Sequence, residues 1–174
     1  AEEPCLLNED EQYDVSSLNY SRRRKKLLSC YCTGHREPVR HFFDEEEQAL
    51  RERLRALFPG KRVAMADVDK AEEHYILYVG SDRTRGAYYY YDDTTDTLRK
   101  LADLAPQLAE ADMAEMHAVT YTSRDGLRIE AYLSLPSGLT PETARALPVV
   151  VNPHGGPWAR DSWGFSSETQ FLCN

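Results

Sequence analysis

Residues 149–165 read Val-Val-Val-Asn-Pro-His-Gly-Gly-Pro-Trp-Ala-Arg-Asp-Ser-Trp-Gly-Phe, and this stretch carries the strongest indication of the fold. The continuous apolar run from Leu147 to Val151 predicts a strand that is buried on both faces, as in a parallel sheet. Such a strand delivers the loop that follows it to the carboxyl edge of the sheet, where open α/β sheets bind their ligands. Two adjacent glycines in that loop, Gly155 and Gly156, remove side chains, so that backbone N–H groups can point at a bound oxygen.

A loop with two free glycine N–H groups is suited to acyl-transfer chemistry. Backbone N–H groups stabilise the negative charge that develops on a carbonyl oxygen during acyl transfer. In α/β-hydrolases one half of this oxyanion hole lies in an HGGG-type loop after a strand. We therefore predict that Gly155 and Gly156 are catalytic through their backbone. The alternative is a Gly-Gly-Pro turn that only joins a strand to a loop.

The residues before this segment predict a mostly β protein with some α-helix. Short apolar runs alternate with turn clusters at the spacing of all-β architectures. The predicted strands are 13–20, 27–33, 38–43, 62–68, 74–80, 86–92 and 97–101, followed by a hairpin of 116–122 and 127–135 around Asp125-Gly126. One helix begins after Asp44, which forms a capping box with Glu47, and ends at Pro59-Gly60. A second helix begins with Ser166 or Ser167 as its N-cap.

Composition and charge exclude several classes of function. A net charge of -8 argues against a nucleic-acid partner, because binding to phosphate backbones needs a positive footprint. The one basic run, 22–26, is interpreted as a solvated turn between two strands. No apolar run reaches the length of about 18–20 residues that crosses a bilayer, so we expect a soluble protein. The spacing Cys30-x-Cys32-x-x-His35 could suggest zinc, but no second pair follows, and we predict neither a metal nor a cofactor.

From residue 114 to residue 174 the chain resembles the prolyl oligopeptidase family of serine peptidases, in its acylaminoacyl-peptidase and dipeptidyl-peptidase branch. The resemblance rests on Tyr-x-Ser-x-Asp-Gly at 121–126, Tyr-Leu-x-Leu-Pro at 132–136, Pro-His-Gly-Gly-Pro at 153–157, Arg-Asp-x-Trp-Gly-Phe at 160–165, and Glu-x-Gln-Phe-Leu at 168–172. The first 112 residues resemble the family's β-propeller through their strand spacing, and about two blades would fit.

The resemblance implies a fragment with two parts: the end of a β-propeller at 1–112 and the start of an α/β-hydrolase domain at 113–174. In that family a Ser on a G-x-S-x-G turn attacks short peptides, and Asp and His follow it in the sequence. No G-x-S-x-G occurs in these 174 residues, so the triad is not assigned and the chain alone is expected to be inactive. By the same resemblance His154 is structural or faces the substrate, and His154 and Arg160 are the substrate-binding candidates.

Three further expectations concern side chains and partners. Arg160 and Asp161 are expected to form an ion pair that shapes the loop, in preference to direct substrate contact by Arg160. Trp158 and Trp163 are expected to be packing anchors. The implied partner is a short peptide substrate, and we expect neither a membrane nor a nucleic-acid partner. The sparse cysteines favour a cytoplasmic setting, with a periplasmic or secreted one as the alternative if a signal was removed. Open strand edges make a homo-oligomer plausible. An esterase or lipase fragment and a non-catalytic β-rich interaction module are the alternatives.

Overall fold

The computed structural model describes residues 12–174. Their elements are β1 (Val15–Ser21), β2 (Lys26–Cys32), β3 (Val39–Phe42), α1 (Glu45–Ala56), β4 (Arg62–Val68), β5 (His74–Gly80), β6 (Ala87–Asp92), β7 (Thr97–Asp103), a 3-10 turn (Glu110–Asp112), β8 (Met116–Thr122), β9 (Arg128–Ser134) and α2 (Ser167–Cys173). The mostly β character predicted from the sequence is confirmed.

The strands form three antiparallel sheets, and none of them closes on itself. The first contains β1, β2 and β3, the second contains β4 to β7, and the third is the hairpin of β8 and β9. In every sheet the strands lie side by side in chain order, because short turns connect antiparallel neighbours directly. These sheets neither establish nor exclude a propeller or an α/β-hydrolase domain, and both stay predictions.

The main core lies where α1 packs against the four-stranded sheet. Leu50 and Leu54 of the helix meet Leu77, Val79 and Tyr91 of the sheet. The helix is positioned by its predicted cap, because the Asp44 carboxylate accepts a hydrogen bond from the Glu47 N–H at 2.9 Å. The helix ends at Ala56, three residues before the proline that was expected to end it.

The basic turn between β1 and β2 is more than a solvated loop. Arg24 and Lys26 both bind the Asp44 carboxylate, at 3.0 and 2.7 Å, and Arg23 lies 3.9 Å from Glu72. The Lys26 hydrogen bond is the largest cause that holds the pKa of Asp44 down at about 2, and the Glu47 N–H and Arg24 add to it. The turn was predicted correctly, but its ion pairs to the start of α1 were not.

The predicted buried strand at 147–151 is wrong for the described residues. This run is irregular, and Val149 and Val151 are 83% and 82% exposed. A strand of this type forms only when neighbouring strands take up its hydrogen bonds and layers cover both faces. Within residues 12–174 no strand pairs with this run.

Within residues 12–174 no helix is long and apolar enough to cross a membrane. No group of three or more His, Cys, Asp or Glu side chains in this range lies close enough to hold a metal ion. Cys30 and Cys173 are free thiols, and Cys5 lies outside the described residues.

Candidate active site

The glycine loop is exposed and locally well defined. Gly156 has a φ of +154°, a backbone conformation that favours glycine over other residues. A Cβ atom added there would lie 3.1 Å from the Trp158 backbone nitrogen, whereas one added at Gly155 would meet nothing within 4 Å. Among the described residues, neither glycine N–H donates a hydrogen bond to another group. Both N–H groups therefore remain available to an external oxygen.

His154 folds back on this loop. Its Nδ1 atom lies 2.7 Å from the carbonyl oxygen of Gly155. A carbonyl oxygen only accepts hydrogen bonds, so Nδ1 is the donor in this contact. The ring is exposed beside the two glycines, where its Nε2 can meet a ligand.

Arg160 turns away from Asp161. Its ion-pair partner is Glu130 on β9, with Nη2 3.5 Å from Oε2, and its Nη1 donates to the Thr33 carbonyl oxygen at 3.0 Å. The predicted ion pair with Asp161 is wrong, since Arg160 meets only the backbone carbonyl oxygen of that residue, at 3.5 Å. The Arg160 guanidinium pairs with Glu130 and not with the adjacent Asp161 carboxylate, because in this orientation it contacts three segments of the chain at once.

Glu130 is the centre of a cluster that sequence reasoning did not identify. Its Oε1 atom accepts a hydrogen bond from the Tyr13 hydroxyl at 2.9 Å, and the Arg160 guanidinium lies 5.9 Å from the Tyr13 ring centre. Burial and the Glu130 carboxylate together raise the pKa of Tyr13. Nearby, the Tyr132 hydroxyl donates to the His35 carbonyl oxygen at 2.5 Å. The cluster ties the glycine loop, the β8–β9 hairpin and the end of β2 together.

The two tryptophans differ. Trp163 is 4% exposed, its indole N–H donates to the Met116 carbonyl oxygen at 2.7 Å, and its ring lies against the guanidinium groups of Arg36 and Arg62. It is the predicted packing anchor. Trp158 is 98% exposed, so the same prediction is wrong there. Trp158 immediately follows the Gly-Gly-Pro turn, which carries its ring away from the described residues.

A buried polar junction positions the end of the chain. Gln170 of α2 is 7% exposed; its amide accepts from the Ala114 N–H at 2.8 Å and donates to the carbonyl oxygens of Ala114 and Asp82 at 2.9 and 3.0 Å. The Asp82 carboxylate, also buried, accepts from the Met116 N–H at 2.7 Å. α2, the β5–β6 turn and the start of β8 are thereby joined. Gln170 lies in a phrase that the sequence singled out, but nothing in the sequence indicated Asp82.

The structure thus brings three of the four predicted site residues together. His154, Gly155 and Gly156 form one exposed surface, while Arg160 is engaged with Glu130 beside it. Their catalytic and substrate-binding roles stay predictions.

Comparison with known proteins relates this chain to a peptidase. Over 127 residues, 71% of the chain, it is 32% identical to dipeptidyl aminopeptidase BIII of Pseudoxanthomonas mexicana. The matched part is 18% of the length of that relative. No family model matches the chain. The similarity supports a distant relationship to a hydrolase that acts on peptides.

Proposed function

We propose that this chain is part of a serine peptidase of the prolyl oligopeptidase family that cleaves short peptides by acyl transfer. The observation that carries the proposal is the similarity to a dipeptidyl aminopeptidase over most of the chain. The Pro-His-Gly-Gly-Pro loop at 153–157 supports it, because a loop of this type supplies oxyanion donors in hydrolases. The matched part is a minor share of that relative, so substrate and catalytic class belong to the proposal.

In this proposal the glycine loop stabilises the reacting carbonyl group. The N–H groups of Gly155 and Gly156 have no acceptor among the described residues, which suits donors reserved for a substrate oxygen. As a nucleophile attacks, the carbonyl oxygen gains negative charge, and preorganised N–H dipoles lower the energy of that state. The nucleophile and its base would lie on a part of the protein outside these 174 residues.

Arg160 fits a positioning role in this proposal better than direct substrate contact. Its Nε, Nη1 and Nη2 atoms each face a protein oxygen, on Asp161, Thr33 and Glu130 respectively. These contacts use three of the five N–H donors of the guanidinium, and together they hold the loop against the hairpin and the end of β2.

The test uses the full-length protein that contains this chain. We expect Gly156→Val to lower kcat for dipeptidyl p-nitroanilides by about 10²–10³, the usual effect of losing one oxyanion donor. Gly138→Val is the matched control: Gly138 also has positive φ, of +84°, but lies in a separate loop. Its kcat should stay close to that of the wild type.

Three results would contradict the proposal. The first is near-normal turnover by Gly156→Val, and the second is an equal loss in Gly138→Val. The third is hydrolysis of p-nitrophenyl esters with no detectable peptide cleavage, which would assign the esterase alternative. The 174-residue chain alone should show no turnover.

A further inference from the structure

A small cleft between β3, α1 and β4 gathers an unusual concentration of positive charge. It has a volume of about 110 Å³, several times the space that one water molecule needs. Four arginines line it: Arg40 from β3, Arg51 and Arg55 from α1, and Arg62 from β4. The protein carries a net charge of -8, so this surface opposes the overall charge.

The carboxylates that pair with these arginines neutralise only half of them. Arg51 donates to Glu47 at 2.7 Å, and Arg55 lies 3.6 Å from Glu37. Among residues 12–174 no carboxylate forms an ion pair with Arg40; Glu47 acts on it only at longer range, and its hydrogen bond goes to the Ser29 hydroxyl at 3.1 Å. Burial lowers the pKa of Arg40, and the neighbouring Arg51 cation adds to this effect.

Arg62 adds an unmatched donor. Its Nη2 atom donates to the Arg36 carbonyl oxygen at 2.8 Å, but its Nε atom is buried without a hydrogen-bond partner. Among the described residues it is the one buried side-chain nitrogen or oxygen in that state. Buried donors in folded proteins are nearly always paired, and the Arg62 guanidinium otherwise lies against the Trp163 ring, so its Nε donor stays open to an added acceptor oxygen.

We propose that this cleft binds a phosphate group, either as inorganic phosphate or as a small phosphate monoester. Arginines from three elements line it, and arginine is the side chain best suited to bidentate binding of tetrahedral oxyanions. The surplus of two positive charges matches a dianion, whereas a single carboxylate would leave one charge uncompensated. The lining also includes the apolar side chain of Leu54, and ionic contacts are stronger where apolar surface excludes water.

Isothermal titration calorimetry on the full chain tests this at constant ionic strength, with inorganic phosphate, phosphoethanolamine and acetate as separate titrants. We expect saturable binding of phosphate with a Kd of about 1 mM or lower. The double variant Arg40→Gln with Arg51→Gln should weaken phosphate binding at least tenfold, because only the guanidinium groups of Arg55 and Arg62 then remain to bind the anion. The matched control, Arg22→Gln with Arg124→Gln, removes the same charge from two exposed turns and should bind like the wild type.

Arg55→Gln provides a second test, because this side chain is largely exposed and its loss should not affect folding. It should weaken phosphate binding severalfold even if the double variant does not fold. If phosphoethanolamine also binds and the same arginine variants weaken it, the cleft is a phosphate-monoester site. If inorganic phosphate binds and phosphoethanolamine does not, the ligand is the free anion. The proposal is overturned by absence of saturable phosphate binding, by equal affinity for acetate, or by equal losses in the control variant.

Discussion

Replacement of Gln170 by leucine tests whether the buried junction holds α2 against the rest of the protein. Leucine fills a similar volume but neither donates nor accepts a hydrogen bond. The Gln170 side chain makes three hydrogen bonds, all to backbone groups: two to Ala114 and one to Asp82. Ala114 itself is fully buried, so its N–H cannot turn to water when the amide is removed.

The magnitude follows from these groups. A buried polar group left without a partner costs about 1–3 kcal/mol. The Ala114 N–H is expected to bear the full cost, while the two carbonyl oxygens lose a donor that they can replace more easily. We therefore expect Gln170→Leu to lower the free energy of unfolding by about 2–4 kcal/mol.

Two measurements check this prediction. Urea denaturation gives the change in the free energy of unfolding, and hydrogen exchange reports the Ala114 amide directly. A loss of 2 kcal/mol should accelerate exchange of that amide by about 30-fold. Gln107→Leu, at an exposed position between β7 and β8, should change neither quantity. Stability within about 0.5 kcal/mol of the wild type, together with a protected Ala114 amide, would refute the reasoning.

The other predictions concern the carboxylates of Asp44 and Asp69 and the buried ring of Trp163. Asp44 has a folded pKa of about 2 against 3.8, so its stabilisation should be present above pH 4 and lost as pH falls towards 2. Asp44→Asn keeps the cap but should flatten that acid dependence in urea melts; an unchanged profile would contradict it. Trp163→Phe should lower the free energy of unfolding by about 1 kcal/mol, because the hydrogen bond to the Met116 carbonyl oxygen is lost; thermal unfolding measures this change. Asp69 raises the pKa of His74, so Asp69→Asn should lower that pKa in an NMR titration, and no change would exclude the pair.

The sequence predicted the elements that local patterns determine. The strands at 74–80 and 116–122 have the predicted bounds, and the cap at Asp44 forms as expected. The Ser166 side chain caps α2 by accepting from the Thr169 N–H at 3.2 Å. Strand alternation and capping involve residues a few positions apart, so they can be recognised without knowledge of the fold.

Contacts between distant segments could not be predicted in the same way. The partner of Arg160 is Glu130, 30 positions earlier, and Asp82 meets Gln170 across 88 positions. Many carboxylates in this acidic chain could pair with a given arginine, and only the fold selects one. The candidate site was therefore predicted as a loop, without the side chains that hold it.

The contrast between β5 and the run at 147–151 shows what an apolar pattern does and does not specify. Both are rich in β-branched and aliphatic residues, yet β5 lies between β4 and β6 and buries Leu77 completely. The other run has no strand beside it among the described residues, and Pro148 removes one of its own donors. An apolar pattern thus indicates that a segment can be buried in a sheet, but it is buried only when neighbouring strands pair with it. The positive φ of Gly156 is present without that strand, so the geometry of the glycine loop is set within the loop itself.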